Sequence, residues 1–588
     1  MLNELVVTRT TQQEWVNEED MNRMLELLDN PNAPGHDMEI QPRGIFTAMA
    51  SPLLCALVLN ERLDLRPKLR RLGIFSVDEF LSAVEGADTL SVINIPINKS
   101  LRASKDRPIG VDTLKQIRDH IVIEKSTVEL EGCKLFGQRG SSWDEVVGGS
   151  KKEGFAKLLK QFRVDGSKAA DVIYLRGEIS TPLIVGVPCC GQREFDGDEV
   201  RGGADLNDPG TLQLVEAIAK RFVATCGTVP HIVLCTLHPS KVNCSASLSE
   251  GVNLNCDSSR SQEAWSNYHT LIEVAKSRVM SVEHPNAVFV ELHSTGSERM
   301  KDESLFHLGY GLAVFPLRSA IESSAGADAN AQTKSKGNTA ADDKAIVATF
   351  ASFDRDGSGE IDKNELQLVA KELGVPMTDT ELDEAMLQMD ADGSGEVDLP
   401  EFTKWYKSLS VQQPGQRLSK IDLIRIRSIM AESSISALSQ RHTEAPADAL
   451  VGPSSLGAMM DQYGCAAAPS LTNTSVDSGS ALVTRYIPGG YSIQAHGSKD
   501  SCCNCDAVHV QVPSKCWTDE PAAMVAQATA GAASTGTPIQ MWAVRLSDAL
   551  LCWMATNFGF QSTPGQGQVD GVKTNFKGGR RASVYTNN

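Results

Sequence analysis

The chain has 588 residues, of which 41% are hydrophobic and 22% charged, with a formal net charge of −18. That length holds about three or four domains, and the composition excludes fibrous and fully disordered classes. Residues 340–409 alone carry 17 acidic and 6 basic residues, a net of −11 that leaves about −7 for everything else; the acidity is one local block, and no basic patch invites nucleic acid.

Residues 1–165 read as a mostly helical N-terminal region. Trp15, Val16, Met21, Met24, Leu25 and Leu28 fall on a helical period, and Ser76, Val77, Asp78 and Glu79 form a capping box ahead of Phe80 and Leu81. Residues 90–97 read as a strand. The start, Met1-Leu2-Asn3-Glu4, lacks the basic and apolar regions of a signal peptide. The 14 cysteines are therefore expected as reduced thiols in the cytoplasm. The longest apolar run, residues 45–59, is broken by Pro52 and is too short for a membrane span.

Residues 166–318 change texture. Apolar runs at 171–175, 183–187, 231–237 and 287–292 predict strands, with helices over 211–226 and 263–280. Strands alternating with helices of this length predict an α/β domain with a mostly parallel sheet, in which ligands sit at the carboxyl ends of strands. Residues 319–344, rich in Ala, Ser, Asn, Gly and Lys, read as a flexible linker.

Residues 345–409 carry the clearest chemistry. Asp354, Asp356, Ser358, Glu360, Asp362 and Glu365 occupy positions 1, 3, 5, 7, 9 and 12 of a twelve-residue loop, and Asp390, Asp392, Ser394, Glu396, Asp398 and Glu401 repeat the pattern 36 residues on. Calcium is a hard cation that takes oxygens in this order, with a backbone carbonyl from position 7 and a bidentate Glu at position 12. Gly359 and Gly395 at position 6 supply the bend. Ile361 and Val397 at position 8 should pair as a short bridge. Apolar residues at helical spacing, among them Ile346, Phe350, Phe353, Leu366, Val369, Leu382, Met386, Met389, Phe402 and Trp405, flank both loops. The stretch resembles a paired EF-hand throughout. The resemblance implies two bound Ca2+ ions, and opening of the helix pair around Phe350, Met386, Met389 and Trp405 towards a protein target. Ser at position 5 limits the negative charge, consistent with a sensor affinity of about 10⁻⁷–10⁻⁵ M.

After a linker at 410–420, residues 421–560 return to α/β texture, with helices expected over 422–440 and 543–557 and a strand over 507–512. Cys502, Cys503 and Cys505, with Cys516 nearby, could form half of a zinc site. The tail, 561–588, is Gly-rich and contains Arg580-Arg581-Ala582-Ser583, a basic-directed phosphorylation motif.

Pieces on both sides of the two loops resemble the N-formylglutamate amidohydrolase-like family of zinc-carboxypeptidase-type hydrolases. They include Pro188-Cys189-Cys190-Gly191, Asn207-Asp208-Pro209-Gly210-Thr211, Glu291-Leu292-His293-Ser294, Ser433-Ser434-Ile435, Gly489-Gly490-Tyr491 and His496-Gly497-Ser498, in the family's order. The resemblance implies a metal held at Cys189, Glu194 and His293, with His269, His496 and Gln511 in the pocket. Cys189 replaces the family's His, Gln511 its general-base Glu, and Pro239, Asn243 and Ser245-Ala246 its substrate-binding Arg, Asp and Asn-Arg pair. An amide cannot take a proton from metal-bound water at neutral pH. The expected architecture is thus an α/β domain with a mostly parallel sheet, interrupted by an all-α EF-hand pair, behind a mostly helical N-terminal region. The expected function is calcium-responsive regulation of a degenerate hydrolase-like domain, the alternative being a calcium-regulated, Zn2+-dependent N-acyl amino acid amidohydrolase.

Overall fold

The computed structural model describes residues 57–127 and 171–560, with short gaps and without the segments 322–339, 408–418, 474–487 and 517–537. The expected helix around Trp15, most of the apolar run at 45–59, Cys502, Cys503 and the tail with Ser583 lie outside the described residues. No helix among the described residues is long and apolar enough to cross a membrane.

Before the two-loop segment come β1 (Val172–Leu175), β2 (Leu183–Val187), β3 (His231–Cys235), β4 (Ala287–Ser294) and β5 (Phe306–Gly309). Within it lie β6 (Glu360–Ile361) and β7 (Val397–Asp398), and after it β8 (Ala467–Ala468) and β9 (Cys505–Val512). Seven of these make one sheet in the order β1-β3-β2-β4-β9-β5-β8. The central four, β3, β2, β4 and β9, are parallel; β1 is antiparallel at one margin, and β5, with β8 parallel to it, is antiparallel at the other. The sheet is therefore mixed, with a parallel centre whose strands are buried on both faces, which is why β2 and most of β3 and β4 read as apolar runs. β4 and β9, from opposite sides of the two-loop segment, pair over their whole length from Ala287↔Cys505 to Ser294↔Val512. One sheet thus contains both sequence halves.

The period-two alternation of β4 and β9 sorts their side chains. Val288, Val290, Leu292, Val508, Val510 and Val512 pack into the core shared with the helices Thr211–Cys226 and Pro538–Asn557. Ala287, Phe289, Cys505 and Ala507 pack with Trp265, Tyr268 and Ile272 of the Arg260–Val279 helix. Glu291, His293, His509 and Gln511 continue that second row. Cys505 and Cys516 belong to different cores, on opposite faces of the sheet.

Three expectations differ from the structure. Residues 90–97 form no strand but a 3-10 turn, Val92–Asn94, and the start of the Pro96–Ala103 helix; Pro96 has no N–H to give a strand ladder, while its fixed φ suits the first turn of a helix. The single helix expected over 422–440 is two, Lys420–Ala431 and Ser436–Arg441. The break serves the sheet: Ser434 N–H donates to Tyr310 O (2.9 Å), Ala507 N–H to Ser434 O (2.9 Å), and Ser434 Oγ to Ala507 O (2.6 Å). At the expected linker 319–344, Ala320 and Ile321 are buried in the first core and the Ala340–Phe353 helix begins.

The N-terminal helices Arg66–Arg71, Val77–Ala83, Pro96–Ala103 and Val111–Thr127 close over a separate core of Leu69, Phe80, Ile97, Leu101, Leu114 and Ile117. Arg66 ties this unit to the α/β domain, donating to Ala495 O (2.9 Å) and Gln494 O (2.7 Å).

Candidate metal centres

Each loop of the acidic segment is built by its own carboxylates. In loop one, Asp362 caps the Lys363–Glu372 helix and Glu365 reaches back, a capping box. Glu365 Oε1 accepts from Arg355 N (2.8 Å) and Asp356 N (3.2 Å), and its Oε2 from Asp362 N (3.0 Å). Loop two repeats this: Glu401 Oε1 accepts from Ala391 N (2.7 Å) and Asp392 N (3.2 Å), and its Oε2 from Asp398 N (3.1 Å). The position-1 carboxylates turn the chain, Asp354 Oδ2 accepting from Gly359 N (3.1 Å) and Asp390 Oδ2 from Gly395 N (2.8 Å). Gly359 and Gly395 both have φ +92°, and a Cβ at either would meet nothing within 4 Å. The glycine is therefore required by conformation, worth about 1–2 kcal/mol, and not by space.

In this frame Asp354, Asp356 and Glu365 bring one oxygen each to within 4.8 Å of one another, and Asp390, Asp392 and Glu401 do the same. Asp354 is buried, and its Oδ1 makes no hydrogen bond among the described residues; a divalent cation is the partner such an oxygen suits. Ser358 Oγ and Ser394 Oγ donate to the position-7 carbonyls of Glu360 (2.9 Å) and Glu396 (3.0 Å). The Glu360 side chain, through a hydrogen bond and its like charge, holds the Glu396 carboxyl above the usual range. The loops meet at Ile361↔Val397, as their position-8 spacing implied.

A family model of the EF-hand domain pair matches residues 343–407. This segment is an EF-hand pair. Among curated proteins and solved structures nothing matches the chain.

The apolar face of the EF-hand pair is covered in this structure. Phe402 packs against Phe350, Phe353, Trp405 and Tyr406, with ring centroids 5.3–5.5 Å apart. Phe350, Met386, Met389 and Trp405 are buried, in an apolar cluster continuous with Ile421, Ile424, Ile426 and Ile429 of the Lys420–Ala431 helix. That helix is apolar on nearly every side because it is covered on nearly every side. Polar contacts fasten it to the pair: Arg427 Nη1 donates to Leu373 O (2.6 Å), Arg425 Nη1 to Trp405 O (3.4 Å) and Lys420 Nζ to Pro376 O (3.0 Å).

A second group lies at the carboxyl ends of the parallel strands. β2 and β4 are neighbours whose connections leave in opposite directions, the arrangement that opens a crevice. Cys189 follows β2 and His293 stands near the end of β4. With Asp208 they offer donor atoms within 4.8 Å of one another, all three residues being buried. His293 Nδ1 is 2.8 Å from Asp208 Oδ2, and its Nε2 lies 3.2 Å from Glu291 Oε2 and 3.3 Å from Ser245 Oγ. Its ring stacks on His509, with centroids 4.5 Å apart. Glu291, wholly buried, also accepts from Ser245 Oγ (2.8 Å), Tyr268 OH (3.3 Å) and Ser492 Oγ (2.5 Å). Gly186 makes room for this packing: a Cβ there would come within 2.6 Å of Tyr268 OH and of the Phe289 ring.

Burial opposes the His293 imidazolium, but Asp208, Cys189 and Glu291 outweigh it and hold the group well above the ordinary range. Burial also opposes the Glu291 charge, and His293 and Ser492 bring that carboxyl down to about 2. The Cys189 thiol is pushed up to about 12 by burial and by the charge of Asp208. It is a neutral thiol, not a ready nucleophile.

The expected triad of Cys189, Glu194 and His293 is not assembled. Glu194 is exposed and is not among the converging donors, and Asp208 stands where it was expected. The chain is pinned at Gly191 against the backbone of Thr236 and Leu237 and is at the surface by Glu194. His269 and His496 form a chain of their own. His269 Nδ1 is 2.7 Å from His496 Nε2, His496 Nδ1 is 2.7 Å from Glu273 Oε1, and Lys276 Nζ donates to the same oxygen (2.8 Å). All four are buried, and burial keeps both histidines below their usual range. Gln511 Oε1 accepts from His509 Nε2 (3.1 Å). Asp506 holds neighbours in place, accepting from Leu438 N (3.1 Å) and Ser498 Oγ (2.5 Å).

Sulfur, carboxylate oxygen and imidazole nitrogen are zinc donors, and three protein ligands with one open position form the pattern of a catalytic site. Cys189, Asp208 and His293 supply three such donors, with Glu291 as the outer carboxylate that orients His293 through Nε2.

Proposed function

We propose that the chain is a calcium-responsive regulatory protein whose EF-hand pair binds two Ca2+ ions and biases the α/β domain through the Lys420–Ala431 helix. The observation that carries this reading is the position of that helix. It shares one apolar cluster with the EF-hand aromatics, and the chain leaving it, at Ser434, hydrogen-bonds to Ala507 of β9. Two residues further along β9 is His509, stacked on His293. Calcium opens sensor EF-hands by changing the angle between their helices. A helix fastened to both bodies is moved by such a change.

Calorimetric titration of the full chain tests the first half of the proposal. Two Ca2+ per chain at about 10⁻⁷–10⁻⁵ M are expected, and no uptake at about 100 µM, tenfold above the weak end of that range, would sink it. Hydrogen exchange tests the second half: calcium should alter protection in residues 420–434 and 505–512. In Arg427→Ala, which releases the bond to Leu373, the change at 505–512 should shrink while both ions still bind. Identical exchange with and without calcium would leave a buffer, not a regulator.

A second reading, favoured by the convergence of Cys189, Asp208 and His293, gives the α/β domain a zinc centre and, with it, amidohydrolase chemistry on an N-acyl amino acid. Zinc held there would polarise a carbonyl and lower the pKa of bound water, and would take Cys189 as thiolate, since coordination deprotonates a thiol outright. Cobalt substitution provides the test. A sulfur-to-cobalt charge-transfer band is expected in the wild-type chain and in Cys190→Ser but lost in Cys189→Ser. A band unchanged in Cys189→Ser, or none in the wild type, refutes this centre; the EF-hand loops have no sulfur and do not interfere.

A further inference from the structure

The N-terminal helices touch the EF-hand pair at a calcium loop. Arg107 lies between the helices Pro96–Ala103 and Val111–Thr127. Its position is built: the buried amide of Asn98 donates to Ile109 O (2.8 Å) and accepts from Ile109 N (2.8 Å), and Lys68 Nζ donates to Arg107 O (3.3 Å). The guanidinium lies over Gly357, position 4 of loop one, where an added Cβ would come within 2.6 Å of Nε and 2.9 Å of Nη2. Arg107 Nη2 is 4.0 Å from Oδ2 of Asp354, the position-1 carboxylate. The Arg107 side chain is 66% exposed and that of Asp354 3%. At its other end the same helical unit is fixed to the α/β domain by Arg66 on Gln494 and Ala495, and the Glu61 carboxylate accepts from Ser249 N (2.9 Å).

We infer that Arg107 is a calcium-linked latch, holding the N-terminal helices on the EF-hand pair while loop one is calcium-free and releasing them when the loop fills. The inference rests on the calcium reading above. A guanidinium and a divalent cation that share one carboxylate repel each other and compete for its charge. The coupling is reciprocal: the factor by which Arg107 weakens calcium at loop one is the factor by which calcium weakens the latch. Loop two provides the internal comparison, because among the described residues no ion pair reaches Asp390, Asp392 or Glu401.

The test is a calcium titration of the full chain in the Glu401→Gln background, which isolates loop one. Adding Arg107→Ala should tighten calcium by about three- to tenfold, the size of one charge contact at about 4 Å partly screened by water. Arg102→Ala removes the same charge from an exposed position on the neighbouring helix and should leave the affinity unchanged. Calcium should also raise hydrogen exchange across residues 96–127 in the wild type, and Arg107→Ala should show that raised exchange without calcium. Unchanged or weaker calcium binding in Arg107→Ala, or an equal gain from Arg102→Ala, overturns the latch. No calcium uptake in any of these proteins overturns the calcium reading instead.

Discussion

Glu365→Gln is expected to remove one of two calcium ions from the chain, lowering the affinity of loop one by about a hundredfold or more; a partner outside the ligand shell alone is worth ten- to a hundredfold. The reason lies in how the carboxylate is held. Its two oxygens already accept from the backbone N–H groups of Arg355, Asp356 and Asp362, so both are aimed before an ion arrives. Glutamine keeps the shape but loses the charge and replaces one acceptor with an NH2. That NH2 must then face a backbone donor or turn away from it, so the loop loses its frame together with the bidentate ligand. Glu401→Gln should do the same to loop two, where Ala391, Asp392 and Asp398 play the equivalent parts. Calorimetric stoichiometry falling from two to one in each variant, and to none in the double variant, is the expected result. Retention of two ions in either single variant would show that the position-12 carboxylates are not ligands.

The loops were legible because their oxygen-bearing residues fall within twelve consecutive positions. Twelve residues define the whole coordination frame, so spacing alone carries the geometry. The buried cluster was half legible for the opposite reason. Glu291 and His293 stand out as polar residues in an apolar strand, as do His509 and Gln511 on β9, and the alternation that places them on one face can be read in advance. Asp208 could not be chosen by alternation, although it lies in one of the pieces that carry the hydrolase resemblance, Asn207-Asp208-Pro209-Gly210-Thr211. It is brought to His293 by a turn ahead of the Thr211–Cys226 helix, and neither its spacing nor that resemblance marked it as a donor. Glu194 was expected in its place because the resemblance carries a ligand over to that position, and a position in a motif does not say which way the loop turns. The helix break at Ser434 was hidden too, since its cause is a hydrogen-bonding need of Tyr310 and Ala507, both more than 70 residues away. The parallel centre of the sheet followed from apolar runs and helix lengths; the short margins β5 and β8 are four and two residues long and leave no comparable trace.

Lys276→Met is expected to cost about 3–5 kcal/mol of unfolding free energy in the α/β domain, the usual penalty for stranding a buried charge. Lys276 and Glu273 are 1% and 2% exposed, and their 2.8 Å contact stands beside the His496–His269 chain. Burial opposes the Glu273 charge, yet Lys276 and His496 reverse that and hold the carboxyl at about 2. A folded-state value below the usual 4.5 means that the pair contributes stability above about pH 4.5, lost as the pH falls towards 2. Without Lys276 the balance shifts towards burial, and Glu273 is driven towards protonation at higher pH. The gap between variant and wild type should therefore be widest near neutrality and narrow as the pH falls towards 5. The double variant Glu273→Leu/Lys276→Met should recover most of the loss, because replacing both members of a buried pair with apolar groups is often close to neutral. Urea unfolding at pH 7 and pH 5 provides the measurement. A single variant within about 1 kcal/mol of the wild type at pH 7, the scale of an exposed ion pair, would mean that water reaches this pair and that the second core is looser than its packing indicates.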